Sequence, residues 1–449
     1  MSAEKKRGRR GPSAKIFLGA FFASVVLAAT VPFVAHPGLR GAPWGWPELG
    51  DPHVRGTLDD RLVFTYYFYW YNWASGQHFT GGGCDDHNAY HPVDEERVSY
   101  LDPDWHYREF VDVARAGIDV VLPVYWGGNP GSGGNETWSK QGLGPMRAAL
   151  DRMRAEGFNS DNPLGVTHPV PKVAMFFDTT LMCVEYHDPS VPFGQGCTAD
   201  LTNATHCETF YLTIADFFSA FNETHLLRVP AEGTDDPTAY VVWLYGENWF
   251  ARVDQSCLDY ADQRFRGEFG HALLFVGTPG WRTYCPGIEG TYRWGVAVSG
   301  VERVEGTKVD VVALGPGFYN GNESHGAVCQ VGQSPIRVPR SPEWYAANWS
   351  AAIAADPNWI VVETWNEFHE GSVICRTREF GDAYLNVTAQ YSAQFHASPP
   401  KPDAFPPGWT KWGPLAVLAG SFTALAVASA ALAEKGVKRT KPTRPSPVR

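Results

Sequence analysis

Several things are absent from these 449 residues. No Cys-x-x-Cys pair occurs among the eight cysteines, so the usual zinc-holding spacing is missing. No glycine-rich loop follows the first expected strand, which removes the turn that cradles a nucleotide phosphate. No internal repeat and no long low-complexity tract interrupts the middle of the chain. Positive charge is scarce there too. The formal net charge is -11, yet residues 1–15 and 434–449 each hold six basic residues and one acid. Those two tails together carry +10, which leaves about -21 for everything between them. A surface that acidic repels nucleic acid, and that class of function is excluded.

The tails border two runs that lack charge. Residues 16–35 follow Lys5, Lys6, Arg7, Arg9, Arg10 and Lys15, and read as a signal anchor or a cleaved signal peptide. Residues 413–433 precede Lys435, Lys438, Arg439, Lys441 and Arg444, and read as a transmembrane helix. Basic flanks stay inside, so both termini are expected in the cytoplasm and the middle outside the cell or in a lumen. Cleavage of the first run would remove the N-terminal tail. The cysteines agree, because Cys84, Cys183, Cys197, Cys207, Cys257, Cys285, Cys329 and Cys375 all fall between the runs. Up to four disulfides are expected, with Cys183, Cys197 and Cys207 stapling one loop. Six Asn-x-Ser/Thr sites, at Asn135, Asn203, Asn222, Asn322, Asn348 and Asn386, also lie there and point to a glycosylated exterior.

Between the runs, residues 36–60 form a Pro/Gly-rich linker and residues 398–412 a stiff Pro-rich spacer. Residues 61–397 alternate strand and helix. Strands are expected at 62–70, 118–125, 172–177, 240–245, 272–276, 309–314 and 359–364, and helices at 105–116, 146–156, 210–221, 255–269 and 343–355. Seven strands are clear, and residues 280–307 have room for an eighth. The alternation predicts an α/β domain, best fitted by a (β/α)8 TIM barrel. Polar and aromatic residues recur just after successive strands: Tyr71, Trp126, Asp178, Glu247 with Asn248, and Tyr319. In a barrel these converge on the C-terminal mouth.

The densest chemistry is Trp365-Asn366-Glu367-Phe368-His369-Glu370-Gly371, directly after the last strand. Two acids three residues apart, set among Trp365, Asn366 and His369, suit glycosidic chemistry. One acid is held protonated for a leaving group, and the other is ionised to accept a proton. The bland alternative is a polar turn after a core strand. Aromatic residues make up 14% of the chain, which serves either a packed core or sugar-stacking surfaces.

This segment resembles the Trp-Asn-Glu-Trp-His-Glu-Gly segment of glycoside hydrolase family 99, the endo-α-mannosidase family. Phe68-Tyr-Trp-Tyr, Ala116-Gly-Ile-Asp-Val-Val, Gly315-Pro-Gly-Phe and Trp344-Tyr-Ala-Ala-Asn-Trp-Ser-Ala-Ala resemble further pieces of that family in the same order, over about residues 62–395. The resemblance implies a barrel that cleaves α-mannosidic bonds with retention and without a cofactor or metal. It implies that Glu367 is the base toward the sugar 2-hydroxyl and Glu370 the acid/base. Sugar contacts are expected from Trp365, Asn366, His369, Tyr71, Trp126, Asp178, Glu247, Asn248 and Tyr319.

Two alternatives remain at this level. One is a catalytically inactive carbohydrate-binding protein on the same barrel. The other is a metal site at Asp85-Asp86-His87 and His91, in a Gly-rich loop that equally suits a polar wall of the mouth.

Overall fold

The computed structural model describes residues 60–398 except 81–85, 129–136, 159, 162–166, 189, 191–195, 231–237, 305–306, 321–336 and 339. Both apolar runs, the linker and the basic tails lie outside the described residues. Among those described, no helix is long and apolar enough to cross a membrane.

Eight parallel strands form a barrel-like sheet. They are β1 (Leu62–Tyr67), β2 (Val120–Tyr125), β3 (Met175–Phe177, preceded by Lys172–Val173), β4 (Thr238–Leu244), β5 (Ala272–Gly277), β6 (Gly290–Thr291), β7 (Val311–Leu314) and β8 (Trp359–Val362). Except for β6 and β7, each pairs with the next in parallel register, and β8 pairs back to β1, with Leu62 opposite Trp359. A single parallel bridge from Gly290 to Val309 joins the β6 and β7 sides and closes the ring. The strand expected somewhere in 280–307 is therefore β6. Two short antiparallel additions, Arg228–Pro230 and Val301–Val304, extend β4 and β7.

The six residues of β1 and of β2 are all buried, as suits strands covered on both faces. The barrel interior is filled by rings rather than aliphatic branches. Phe64 packs on Trp243 and Trp359 with centroids 5.3 and 4.9 Å apart, and Tyr66 packs on Phe176 at 4.8 Å. Much of the aromatic excess is thus core, including the fully buried Trp105, Trp281 and Trp349.

The larger outer helices are α1 (Pro103–Arg115), α2 (Trp138–Ala155), α3 (Ala204–Ser219), α4 (Gln255–Phe269), α5 (Pro342–Ala354) and α6 (Ala383–Ala397). Their starts are capped from the sequence: Asp102, Thr137, Asn203, Asp254 and Ser341 each accept a first-turn N–H. Helix α2 starts eight residues earlier than expected at Met146. It runs through Gly142, Gly144 and Pro145, which the sequence pattern reads as breakers. Gly142 has a packing reason, since a Cβ there would sit 2.6 Å from the Tyr69 ring.

The cysteine expectation is corrected. Cys183 and Cys197 form a disulfide, but Cys207, Cys257, Cys285 and Cys375 are free, buried thiols. The start of α3 turns the Cys207 thiol toward the Leu201 carbonyl, 3.1 Å away, rather than into the stapled loop. Cys84 and Cys329 lie outside the described residues. One glycosylation site is corrected as well. Asn348 is buried on α5 and its amide donates to the Gly315 carbonyl at 3.0 Å, so no glycan can be attached there in the folded chain. Asn203, Asn222 and Asn386 are exposed, and Asn135 and Asn322 lie outside the described residues.

Candidate active site

The loop after β8 folds back over the barrel mouth. The Glu367 N–H donates to Thr364 Oγ1 at 3.0 Å, and the Phe368 N–H donates to the Tyr71 hydroxyl at 2.9 Å. Tyr71 in turn donates to Glu367 Oε1 at 3.4 Å, and the His369 N–H reaches the same oxygen at 3.2 Å. Asn366 accepts the Phe68 N–H at 2.7 Å. The segments following β1 and β8 are thereby laced together around one carboxylate.

Glu367 is 3% exposed, and its second oxygen, Oε2, is buried with no hydrogen-bond partner. Among the described residues neither Glu367 nor Glu370 pairs with a lysine or arginine. Burial, and then the neighbouring Glu370, push the Glu367 carboxyl well above the usual range. Burial raises Glu370 also. Two such groups share protons and titrate as a pair.

His369 helps decide where the proton rests. Its Nε2 lies 2.7 Å from the His78 carbonyl oxygen, so that nitrogen carries the hydrogen. Burial, followed by His78 and His87, holds the ring neutral by lowering its pKa well below the ordinary value. The remaining lone pair on Nδ1 then faces Glu367 Oε1 at 3.4 Å. A protonated Glu367 satisfies that lone pair and an ionised one repels it.

A pocket enclosing ≈ 590 Å³, part of it open to solvent, leads to this pair. Its walls are the rings of Phe68, Trp70, Phe176, Tyr245 and Trp294, and its polar side is Asp178, Glu367, His369 and Glu370. Asp178, at the end of β3, accepts the Thr180 N–H and hydroxyl at 3.1 and 2.6 Å, and burial raises its carboxyl. Rings that offer flat apolar faces beside acids suit a sugar, whose C–H faces stack and whose hydroxyls donate.

Of the residues singled out in sequence, Glu367, Glu370, His369 and Asp178 line this pocket. Tyr71 stands behind Glu367. Asn366 lies beneath it, with its amide nitrogen buried and unpartnered. Trp126 packs against Trp70 and Trp138, with centroids 6.5 and 6.2 Å away. Tyr319 is buried, and its N–H donates to the Glu370 carbonyl at 2.8 Å. Three residues stand apart from the lining. Trp365 is fully buried behind the loop, its indole N–H donating to Glu109 on α1 at 2.6 Å. Glu247 accepts the Thr278 hydroxyl, and Asn248 is exposed.

Sequence reasoning missed the walls Phe68, Trp70, Phe176, Tyr245 and Trp294, and also Glu363. Trp294 follows the two-residue β6, which gives no strand signal to locate a mouth position. Glu363 reads as the end of a strand. Of the alternative metal site, Asp85 lies outside the described residues. His91 lies between Asp86 and Glu379, at 3.0 and 2.6 Å, and their hydrogen bonds, Glu379's first, raise its pKa to about 9. The His87 ring instead lies 4.2 Å from His369. Among the described residues no group of His, Cys, Asp and Glu is arranged to hold a metal ion.

The fold is a parallel eight-stranded α/β barrel with this pocket at its mouth. A solved structure described as a glycoside hydrolase-like protein is 13% identical, with a TM-score of 0.50, and the match covers 74% of this chain and 94% of that one. The family is given by sequence: residues 67–404 match a domain of unknown function, DUF5010, and the chain belongs to that family. Two further structures match with lower TM-scores. The GH99 endo-α-mannosidase from Bacteroides thetaiotaomicron is 16% identical, with a TM-score of 0.47, over 78% of this chain and 99% of that one. GH5_18 from Streptomyces cattleya is 14% identical, with a TM-score of 0.37, over 76% and 82%. No curated protein matches the sequence.

Proposed function

We propose that this chain is a membrane-anchored glycoside hydrolase, its barrel held outside the cell or in a lumen, that cleaves α-linked, α-mannosidic glycans with retention. The observation that carries the reading is the pair of Glu367, buried, and Glu370, half-buried, which face an aromatic-walled pocket with no lysine or arginine paired to them among the described residues. The resemblance of residues 365–371 to the endo-α-mannosidase segment supports the assignment of roles. The apolar runs 16–35 and 413–433 with their basic flanks support the anchoring.

In this reading Glu367 takes the proton of the sugar 2-hydroxyl. Its oxygen attacks the anomeric carbon as the glycosidic C–O bond breaks, and Glu370 gives its proton to the leaving oxygen. Water then opens the 1,2-anhydro sugar: Glu370 takes a proton from the water, hydroxide adds at the anomeric carbon, and O2 recovers its proton from Glu367. Two inversions give net retention. The His369 Nδ1 lone pair, 3.4 Å from Glu367 Oε1, favours a proton on Glu367 before substrate binds, and the reaction needs that proton on Glu370. A 2-hydroxyl that donates to Glu367 and a glycosidic oxygen that accepts from Glu370 both favour that transfer. The same resting position of the proton favours a second reading, a sugar-binding barrel without turnover.

The test is product formation by the full chain in detergent on a panel of α-linked manno-oligosaccharides and related glycans, beside Glu370→Gln. Cleavage by the parent alone establishes a glycosidase that uses this pair, and product lengths separate endo from exo action. Saturable binding by both without cleavage establishes the second reading. Neither cleavage nor binding rejects both for these glycans.

A further inference from the structure

A third carboxyl lies beneath the pocket with no assigned role. Glu363 follows β8 and is 3% exposed. Its N–H donates to the Leu314 carbonyl at 2.9 Å, which fixes the residue against β7. Its Oε2 accepts the Gly295 N–H at 2.9 Å and the Val296 N–H at 3.0 Å. These two amides belong to the crossing that follows β6, and the residue just before them is Trp294. The Trp294 ring is a wall of the pocket and touches others, with centroids 4.9 Å from Tyr66, 5.1 Å from Tyr245 and 5.6 Å from Phe176.

The crossing is pressed from a second side. A Cβ at Gly315 would lie 2.4 Å from Ala297 Cα, so only glycine lets the turn after β7 approach this backbone. The Gly315 N–H also donates to the Gly300 carbonyl at 2.9 Å. Residues 294–300 are thus clamped between the β7 turn and the Glu363 carboxyl.

We propose that Glu363 is a positioning residue. It ties the Trp294 wall to the strand end that carries Glu367 and Glu370, so that the sugar-stacking face and the acids keep one spacing. This role rests on the glycosidase reading above. Glu363 also sets the charge beneath the site. The titratable groups facing it are Glu370 from its own loop, Tyr66 from β1, Tyr292 after β6 and Tyr245 after β4. All of them are acids, so once Glu363 ionises, above about pH 8, its charge opposes ionisation of Glu370.

Glu363→Gln keeps an acceptor oxygen for the two amides and removes the charge, whereas Glu363→Ala removes both. Two readouts separate the tether from its consequence. In amide hydrogen exchange of the folded protein, Gly295 and Val296 are expected to exchange at least tenfold faster in Glu363→Ala and within threefold of the parent in Glu363→Gln. In turnover, Glu363→Ala is expected to raise KM tenfold or more with a smaller loss in kcat. Glu363→Gln is expected to restore KM while its alkaline limb of kcat/KM moves to lower pH. Exchange unchanged in Glu363→Ala overturns the tether. Faster exchange with KM unmoved overturns its role in binding. A parent that turns over no glycoside fails the proposed function and removes that role with it, while the exchange contrast still reports on the tether alone.

Discussion

The two ends of the barrel use the same residue types in opposite ways. At the N-terminal ends of the strands, acids are partnered. Asp119, before β2, accepts the Val63 N–H at 2.7 Å and lies 2.8 Å from His396 of α6. Arg61, before β1, donates to the Pro357 carbonyl at 2.8 Å and to Asp356 ahead of β8. Asp310, before β7, holds both sides of the Arg303 guanidinium. At the C-terminal ends, Glu363, Glu367, Glu370 and Asp178 are packed among rings with no cation beside them among the described residues, and burial raises all four carboxyls. Acids paired with cations or backbone amides help hold the sheet closed, whereas carboxyls with no cation beside them are the ones placed to trade protons. Under the proposed function, stability resides at one end of this barrel and chemistry at the other.

The widest separation between the ends is expected in turnover. Replacing Glu370 by Gln should cost roughly 10²–10⁴ in kcat, the usual share of one acid/base group. Removing a half-buried carboxyl that has no lysine or arginine beside it among the described residues should at the same time leave the unfolding midpoint unchanged or raise it. Asp119→Ala should do the reverse. It strands the Val63 N–H and should cost about 1–3 kcal/mol in chemical denaturation, with kcat/KM of the folded protein within twofold of the parent.

The mouth should also show itself in the pH dependence of stability. Burial pushes Glu363 up to about 8 from an ordinary 4.5, against the amides that hold it and with Glu370 adding to the rise. Below pH 4.5 both folded and unfolded chains keep that proton, and nothing is gained or lost. Between 4.5 and 8 the unfolded chain releases it and the folded chain does not, so stability falls as pH rises. At roughly 1.4 kcal/mol for each pH unit of that window, the total comes to a few kcal/mol. Denaturation series from pH 4.5 to 8.5 should show that slope in the parent and a flatter one in Glu363→Gln. The smallest expected effect is steric. Gly315→Ala should push the 294–297 backbone away, costing about 1–3 kcal/mol and raising KM severalfold without changing the pH at which kcat is highest.

The strand order could be read from the sequence because buried parallel strands are nearly continuous apolar runs, as in Ile118–Tyr125 and Trp359–Val362. The exception, β6, has two residues and includes glycine, so local pattern carries no trace of it and only the ring of neighbours defines it. Glu367 and Glu370 stood out because two acids in seven residues after a core strand have few structural uses. Trp365 was read with them, but its indole N–H is drawn to Glu109 on α1, a contact between residues far apart in the chain that local pattern does not record. Glu363 and Trp294 could not be joined in sequence. They are 69 positions apart, and their connection runs through backbone amides that no side-chain pattern records.

If Glu367 and Glu370 together cleave an α-glycoside with retention, the stereochemistry of the product must show it. The decisive measurement is the anomeric configuration of the first-formed product, followed by proton NMR as the full chain acts on an α-linked manno-oligosaccharide, with Glu370→Gln alongside. The α-anomer is expected to appear first, with mutarotation following, and the variant to give no signal above background. A β-anomer first, or equal turnover by the variant, would contradict the assignment of this pair.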